Sequence, residues 1–209
     1  MDILFADDCL VIVRKPSGLL SVPGRAEDNK DSVALRLAEI YPDVLTVHRL
    51  DMDTSGLMVF ARSKDIHRAL SIAFQNKLVN KRYVSLVYGK VEQERGEIDL
   101  PLRCDWPNRP LQMVDHDLGK KALTRWQLCA HEERQGEPVS RIDLVPITGR
   151  SHQLRVHMKE LGYSILGDPF YATGKALELS ERLCLHASLL SFVHPVTGEE
   201  MTFQDPAPF

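Results

Sequence analysis

The chain has 209 residues, 44% of them hydrophobic and 26% charged, with a net charge of −3. That is ordinary for a soluble globular protein long enough to bury a core without staples. The four cysteines, Cys9, Cys104, Cys129 and Cys184, form no CxxC pair, which argues against zinc and redox motifs and predicts free, mostly buried thiols in a reducing compartment.

In chain order, ILFAD and CLVIVRKP read as strands around a turn at Asp7-Asp8, the second stopped by Pro16. Ser17-Gly18 and Pro23-Gly24 read as turns and GRAEDNK as a polar loop. DSVALRLAEIY places Val33, Leu37, Ile40 and Tyr41 on one face, which predicts a helix capped by Asp31 or Ser32 and stopped before Pro42. GLMVFAR is a buried-strand pattern. SKDIHRALSIAFQNK is the clearest helix, with Ile66, Ala69, Leu70, Ala73 and Phe74 as its inward stripe. RYVSLVYGKV reads as a strand, and TRWQLCAHEE and SRIDLVPI as a long hairpin around RQGEPV. SHQLRVHMKELG predicts a shorter helix capped by Ser151, with Leu154, Met158 and Leu161 inward and Gly162 as its stop. LHASLLSFVHP and EEMTFQDP form a last hairpin around VTG. No linker, repeat or charge block divides the chain, so one domain over 1–209 is expected. The fold class this pattern predicts is α+β: a mixed, mostly antiparallel sheet with flanking helices.

No apolar run approaches membrane-spanning length and Met1-Asp2 does not begin a signal peptide. The cytoplasm is therefore expected and a membrane is not. Basic residues gather at Arg14-Lys15, His48-Arg49, Lys81-Arg82, Lys120-Lys121 and Arg150 to Arg155, while acids collect elsewhere. A positive site for a polyanion on an acidic body fits this distribution, and so does charge scattered over solvated loops.

The densest polar stretch, HRLDMDTSG (His48–Gly56), stands at the mouth of the strand GLMVFAR. Asp51 there fits a turn cap or a reacting carboxylate. Arg49 stands two residues away, and Arg150 in TGRSHQLRVH is a second arginine of buried appearance, suited to a phosphate or to a buried carboxylate. Other chemistries fit less well. Asp53 offers a second carboxylate, but its spacing from Asp51 does not force the two to flank a substrate. There is no GxSxG, no HExxH and no phosphate loop, and the spacing of His152 and His157 suits no helical metal pair. His48 and His186 are the histidines of interest, each more often a structural hydrogen-bonding group than a catalyst. Arg155 and Lys159 fit a solvated helix face and phosphate contacts equally.

HRLDMDTSG resembles the HRLDxxTSG signature of the RluA-type pseudouridine synthases. RKPSGLLSVPGR, KRYVSLVYG, TGRSHQLRVHMKELGYSILGDPFY and LCLHASLL resemble the family's other motifs in the same order. SVPGR, CDWPNRP and PITGRSHQLRVHM are similar to the branch that acts on both tRNA and 23S ribosomal RNA. Tyr163 departs from the histidine or proline of many relatives, outside the reacting residues. The resemblance implies the pseudouridine synthase fold with a central RNA-binding cleft, an isomerase, and no cofactor and no metal. It implies Asp51 as the catalytic aspartate, Tyr83 stacking on the target base, Arg150 pairing with the aspartate, and Leu185 packing on the flipped uracil. Arg49 would enter the space that the nucleotide leaves, with His48 beside it on the substrate side. The implied partners are structured RNAs, a tRNA anticodon stem-loop and a 23S ribosomal RNA hairpin, bound by a monomer. Many relatives carry an N-terminal S4 RNA-binding domain, and here the first catalytic-domain strand opens the chain instead. A synthase for a different uridine, and a non-catalytic RNA-binding module on the same fold, are the alternatives.

Overall fold

The computed structural model describes residues 1–24 and 30–209. By its contacts the chain divides into two compact units, Met1–Lys81 with His186–Pro208, and Arg82–Leu185 with Phe209.

In the first unit, β1 (Asp2–Ala6) pairs antiparallel with β2 (Leu10–Lys15), and β2 with β4 (Ser55–Ala61). The turn from β1 to β2 forms because the Asp7 carboxylate accepts the N–H groups of Cys9 and Leu10 at 2.7 and 2.8 Å. All seven residues of β4 are buried, as its unbroken apolar run requires of a strand covered on both faces. The short β3 (Leu45–Thr46) lies antiparallel to the end of β4. β11 (Leu185–Val193) pairs parallel with the start of β4 and antiparallel with β12 (Glu200–Gln204).

Two helices complete this unit. α1 (Val33–Ala38) is capped by Ser32, whose hydroxyl accepts the Leu35 N–H at 3.2 Å. Its last turn is shorter than the pattern suggests: Val33 and Leu37 are buried, but Ile40 lies beyond the helix and is exposed. α2 (Lys64–Gln75) is capped by Ser63 and lays Ile66 and Leu70 on Leu57, Val59 and Ala61 of β4. Ala73 and Phe74 are partly buried and Ala69 faces solvent, so the inward stripe is narrower than predicted. The turn at Ser17-Gly18 is present. The expected turn at Pro23-Gly24 adjoins residues 25–29, and the polar loop GRAEDNK falls mostly on them, outside the described residues.

In the second unit the strand order is β5 (Asn80–Tyr88), β10 (Glu137–Pro146), β9 (Leu123–Arg134), β6 (Arg95–Asp99), each pair antiparallel. β9 and β10 form the long hairpin. Gln135 and Gly136 both have positive φ, 51° and 79°, which is the tight turn whose twist matches paired strands. β7 (Leu102–Cys104) and β8 (Gln112–Val114) make a small separate hairpin. α3 (Gln153–Glu160) packs Leu154 and Met158 into a core with Leu86, Trp126, Ile142 and Leu144. The short α4 (Lys175–Glu178) follows.

The mixed, mostly antiparallel sheet with few helices is as the sequence predicts. All four cysteines are free thiols, but only Cys184 is buried; Cys9 and Cys104 are partly exposed and Cys129 is exposed. Cys104 ends the short β7, and Cys129 is the residue skipped where the register of β9 against β10 shifts. Among the described residues no helix is long and apolar enough to cross a membrane.

Candidate active site

The stretch from His48 to Thr54 leads from β3 into β4, and the carbonyls of Leu50, Met52 and Asp53 are tied down from Lys15 and the segment that follows β2. Lys15 ends β2 fully buried, and its ammonium donates to Leu19 O and Met52 O at 2.6 Å and to Pro16 O at 2.9 Å. The Gly18 N–H also donates to Met52 O at 3.0 Å. The Ser17 hydroxyl donates to Asp53 O at 2.7 Å. Ser21 donates to Leu50 O at 2.7 Å and accepts the Leu50 N–H at 3.0 Å. The Thr54 N–H returns to Asp51 O at 3.2 Å and closes the turn. Buried polar groups must find partners, and here the partners are the loop's own backbone. Asp51 is therefore partly exposed on a rigid turn, with Arg49 exposed two residues before it.

His48 turns the other way. Its Nε2 accepts the Val59 N–H at 3.1 Å, and its ring stacks on Phe74 with centroids 4.7 Å apart. The residue keeps some solvent-accessible area, yet the surrounding chain desolvates the ring. That burial, with the Lys81 ammonium nearby, pushes its pKa down to about 3. A neutral imidazole is what the bond to Val59 needs, because only an unprotonated nitrogen accepts. Burial also pulls Lys81 below the usual lysine range.

In the second unit, Tyr83 stands opposite Leu144 in the β5–β10 register and packs half-buried on the apolar core. Leu185 is a buried member of the same core. Arg150 is exposed, not buried, and its Nε donates to Lys121 O at 3.1 Å. Ser151 does not cap α3. The residue at the cap is His152, in the left-handed region at φ 52°, with no capping bond from its side chain. Gln153 takes over that work: its amide oxygen accepts the Arg150 N–H at 3.1 Å and the Thr148 hydroxyl at 2.7 Å. Arg155 is neither a solvated face nor a phosphate contact. It is 1% exposed and holds the buried Asp168 through two bonds of 2.8 and 2.6 Å. Lys159 does lie on the solvated face, beside Glu160.

Asp7, Cys9 and His194 bring a carboxylate, a thiol and an imidazole within 4.8 Å of one another. The imidazole and one carboxylate oxygen are already engaged. His194 Nδ1 accepts the N–H groups of Val196 and Thr197, and Nε2 lies 3.1 Å from Asp7 Oδ2. The cluster knits the β1–β2 turn to the β11–β12 turn.

The model of the RNA pseudouridylate synthase family matches residues 9–160, a span that contains both polar motifs. The chain belongs to the RNA pseudouridylate synthase family. It is 58% identical over 195 residues to a protein of Vibrio parahaemolyticus named dual-specificity RNA pseudouridine synthase RluA, covering 93% of this chain and 78% of the relative. The Escherichia coli protein of the same name is 50% identical over 207 residues, 99% of this chain and 93% of the relative. Among solved structures, human RNA pseudouridylate synthase domain containing 1 superposes with a TM-score of 0.83 at 28% identity, covering 99% of this chain and 83% of that one.

The resemblance that begins with HRLDMDTSG is thus borne out, and the protein is an RNA pseudouridine synthase, an isomerase. Of the residues singled out for the reaction, His48, Arg49 and Asp51 share one loop. Tyr83 and Leu185 share one core, and Arg150 stands on the turn that enters α3. Sequence reasoning missed Lys15 as the loop's buried anchor and Arg155 as the core's ion pair. For Lys15 a signal existed: a lysine that closes an apolar strand one residue before Pro16, inside a family motif.

Proposed function

We propose that the protein isomerises a flipped uridine in stem-loops of tRNA, at the first nucleotide of the anticodon loop, and of 23S ribosomal RNA, acting in the cytoplasm as a monomer. The names of its relatives support a dual-specificity synthase, and the motif resemblance supplies the two RNA classes. In this reading the uracil N1–C1′ bond breaks, the base turns, and a C5–C1′ bond forms; the C5 hydrogen leaves and N1 gains a proton. Asp51 is the reacting nucleophile. Tyr83 and Leu185 hold the detached uracil between an aromatic and an apolar face, and Arg150 pairs with the carboxylate. Arg49 fills the gap in the base stack, since a nucleotide that leaves the stack costs a few kcal/mol of unstacking. His48 acts by keeping the loop against β4. The observation that carries the reading is the turn around Asp51, whose carbonyls at residues 50, 52 and 53 are all held by buried or half-buried donors. A carboxylate that must meet one atom of a flipped nucleotide needs such a mount.

The test is tritium release from C5-labelled uridine in an isolated anticodon stem-loop, in the 23S hairpin, and in the same nucleotides as an unstructured strand. Both stem-loops should react at comparable rates and the strand poorly. Asp51→Asn should bind the stem-loops and release on the order of 10⁴-fold less tritium. Activity within tenfold of the unsubstituted enzyme would remove Asp51 from its role. An inert stem-loop beside a reactive full-length tRNA would favour a synthase for another uridine.

A further inference from the structure

The Asp51 loop leaves its turn through Ser55 and Gly56, and both meet β11 directly. Gly56 has φ +115°, and a Cβ there would lie 2.4 Å from Ala187 O. β4 and β11 therefore touch backbone to backbone at the loop's exit, and any side chain would push them apart. One residue earlier, Ser55 Oγ lies 2.8 Å from His186 Nδ1. His186 Nε2 in turn lies 3.1 Å from Asp205 Oδ2. Asp205 accepts Arg14 Nε at 2.8 and 2.9 Å, and its N–H donates to Ser188 O at 2.9 Å. Ser55, His186 and Asp205 are 3%, 1% and 2% exposed.

The order Ser–His–Asp is that of a hydrolytic triad, but a hydroxyl this deeply covered meets no substrate. The line holds rather than reacts. The Asp205 carboxylate faces Nε2 as an ion-pair contact rather than as an aligned hydrogen bond. Its charge favours the proton on Nε2, which leaves Nδ1 to accept from the Ser55 hydroxyl. Arg14 fixes the carboxylate from the other side. We infer that His186, oriented by Asp205 and Arg14, is a positioning residue that acts through Ser55 to set where the turn ends and so where Asp51 points. This rests on Asp51 being the reacting group. A carboxylate displaced by an ångström loses rate, while contacts that bind RNA elsewhere are kept.

The test uses Ser55→Ala, His186→Ala, the double variant, and His186→Asn, whose amide oxygen stands near the place of Nδ1. Single-turnover tritium release and Kd are measured on one stem-loop substrate, with thermal melts alongside. Each alanine variant should slow turnover about tenfold to a hundredfold. Kd should stay within about threefold, the double variant should be no slower than the slower single, and His186→Asn should recover most of the loss. Full rates in folded single variants, effects that multiply in the double, or a loss carried by Kd would each overturn the inference. Should His186→Ala fail to fold, Ser55→Ala, which deletes one oxygen, decides alone. Asp51→Asn is run beside them. If it turns over normally, the reading of Asp51 fails and the inference with it; if it is inert while the Ser55 and His186 variants are fast, the inference alone fails.

Discussion

The loop that carries Asp51 is held by residues distant in sequence, whereas the turn that carries Arg150 is held largely by its own helix. Around Asp51 the donors are Lys15, Ser17, Gly18 and Ser21, thirty or more positions before it, with 37 positions between Lys15 and Met52 and 36 between Ser17 and Asp53. Around Arg150 the acceptor is Gln153, three residues on, whose amide then donates to Leu123 O and Thr124 Oγ1 at 3.0 Å. Beneath that turn, α3 is fixed by Arg155 on Asp168 and by His157 between Thr124 Oγ1 and Leu100 O. A loop of the first kind exists only when the tertiary structure does. Its geometry is exposed to changes remote from it, while the second kind stands or falls with the stability of its unit.

The largest expected effect breaks the second support. Asp168→Asn leaves Arg155 as a buried cation facing an amide, and removing one partner of a buried ion pair costs about 3–5 kcal/mol. Urea unfolding should show the loss, and the folded fraction should still turn over. A cost below about 1 kcal/mol would mean that the pair is as dispensable as a surface bridge.

The next effect separates the two supports. Lys15→Met keeps the bulk of the side chain, orphans the buried Leu19 O and leaves Met52 O to the Gly18 N–H alone. A buried acceptor left unmade costs about 1–3 kcal/mol before relaxation. The distinguishing outcome is in rate: the Asp51 turn loses its anchor, so single-turnover tritium release should fall about a hundredfold in folded protein. A variant that is merely less stable, with its rate intact, would show that Met52 is held well enough by Gly18 alone.

How much of this was legible follows the same division. β4 was readable because an unbroken apolar run has one stable home, and α2 because its stripe repeats at helical spacing. The long hairpin was readable around RQGEPV, although its turn is narrower, Gln135 and Gly136 alone, and the signature loop was recognisable as a unit. The supports were not. Arg155 reads as a surface residue until Asp168, 13 positions later, is known to face it. Ser151 is the better capping residue by propensity, but Gln153 satisfies the turn from inside the helix, so the cap falls on His152 in the left-handed region. Arg150 looked buried from the apolar runs that precede and follow it; Gly149, Arg150 and Ser151 form an exposed turn instead. The motif resemblance proposes which groups react, and only packing revealed which groups hold them.

The smallest expected effect concerns pH and returns to the first loop. The His48 pKa is about 3 in the folded protein against an ordinary 6.5. As pH falls through about 6.5 the unfolded chain takes up a proton at this position, and the folded chain does not until about 3. The unfolded state then binds more protons, so stability is complete above about 6.5 and is lost progressively as pH falls toward 3. His157 in α3 is depressed by burial with the same sign, so the whole protein should weaken in acid, and the part belonging to His48 has to be isolated. His48→Gln has no titrating ring, and every carboxylate and His157 are common to both proteins. Urea midpoints at about pH 7 and about pH 4.5 should therefore drop more for the unsubstituted chain than for His48→Gln, the difference between the two drops being the share of His48. Equal drops would mean that the imidazole is protonated in the fold as readily as outside it. The bond from the Val59 N–H to Nε2 would then not hold in solution, and the first loop would lose one of the contacts that keep it against β4.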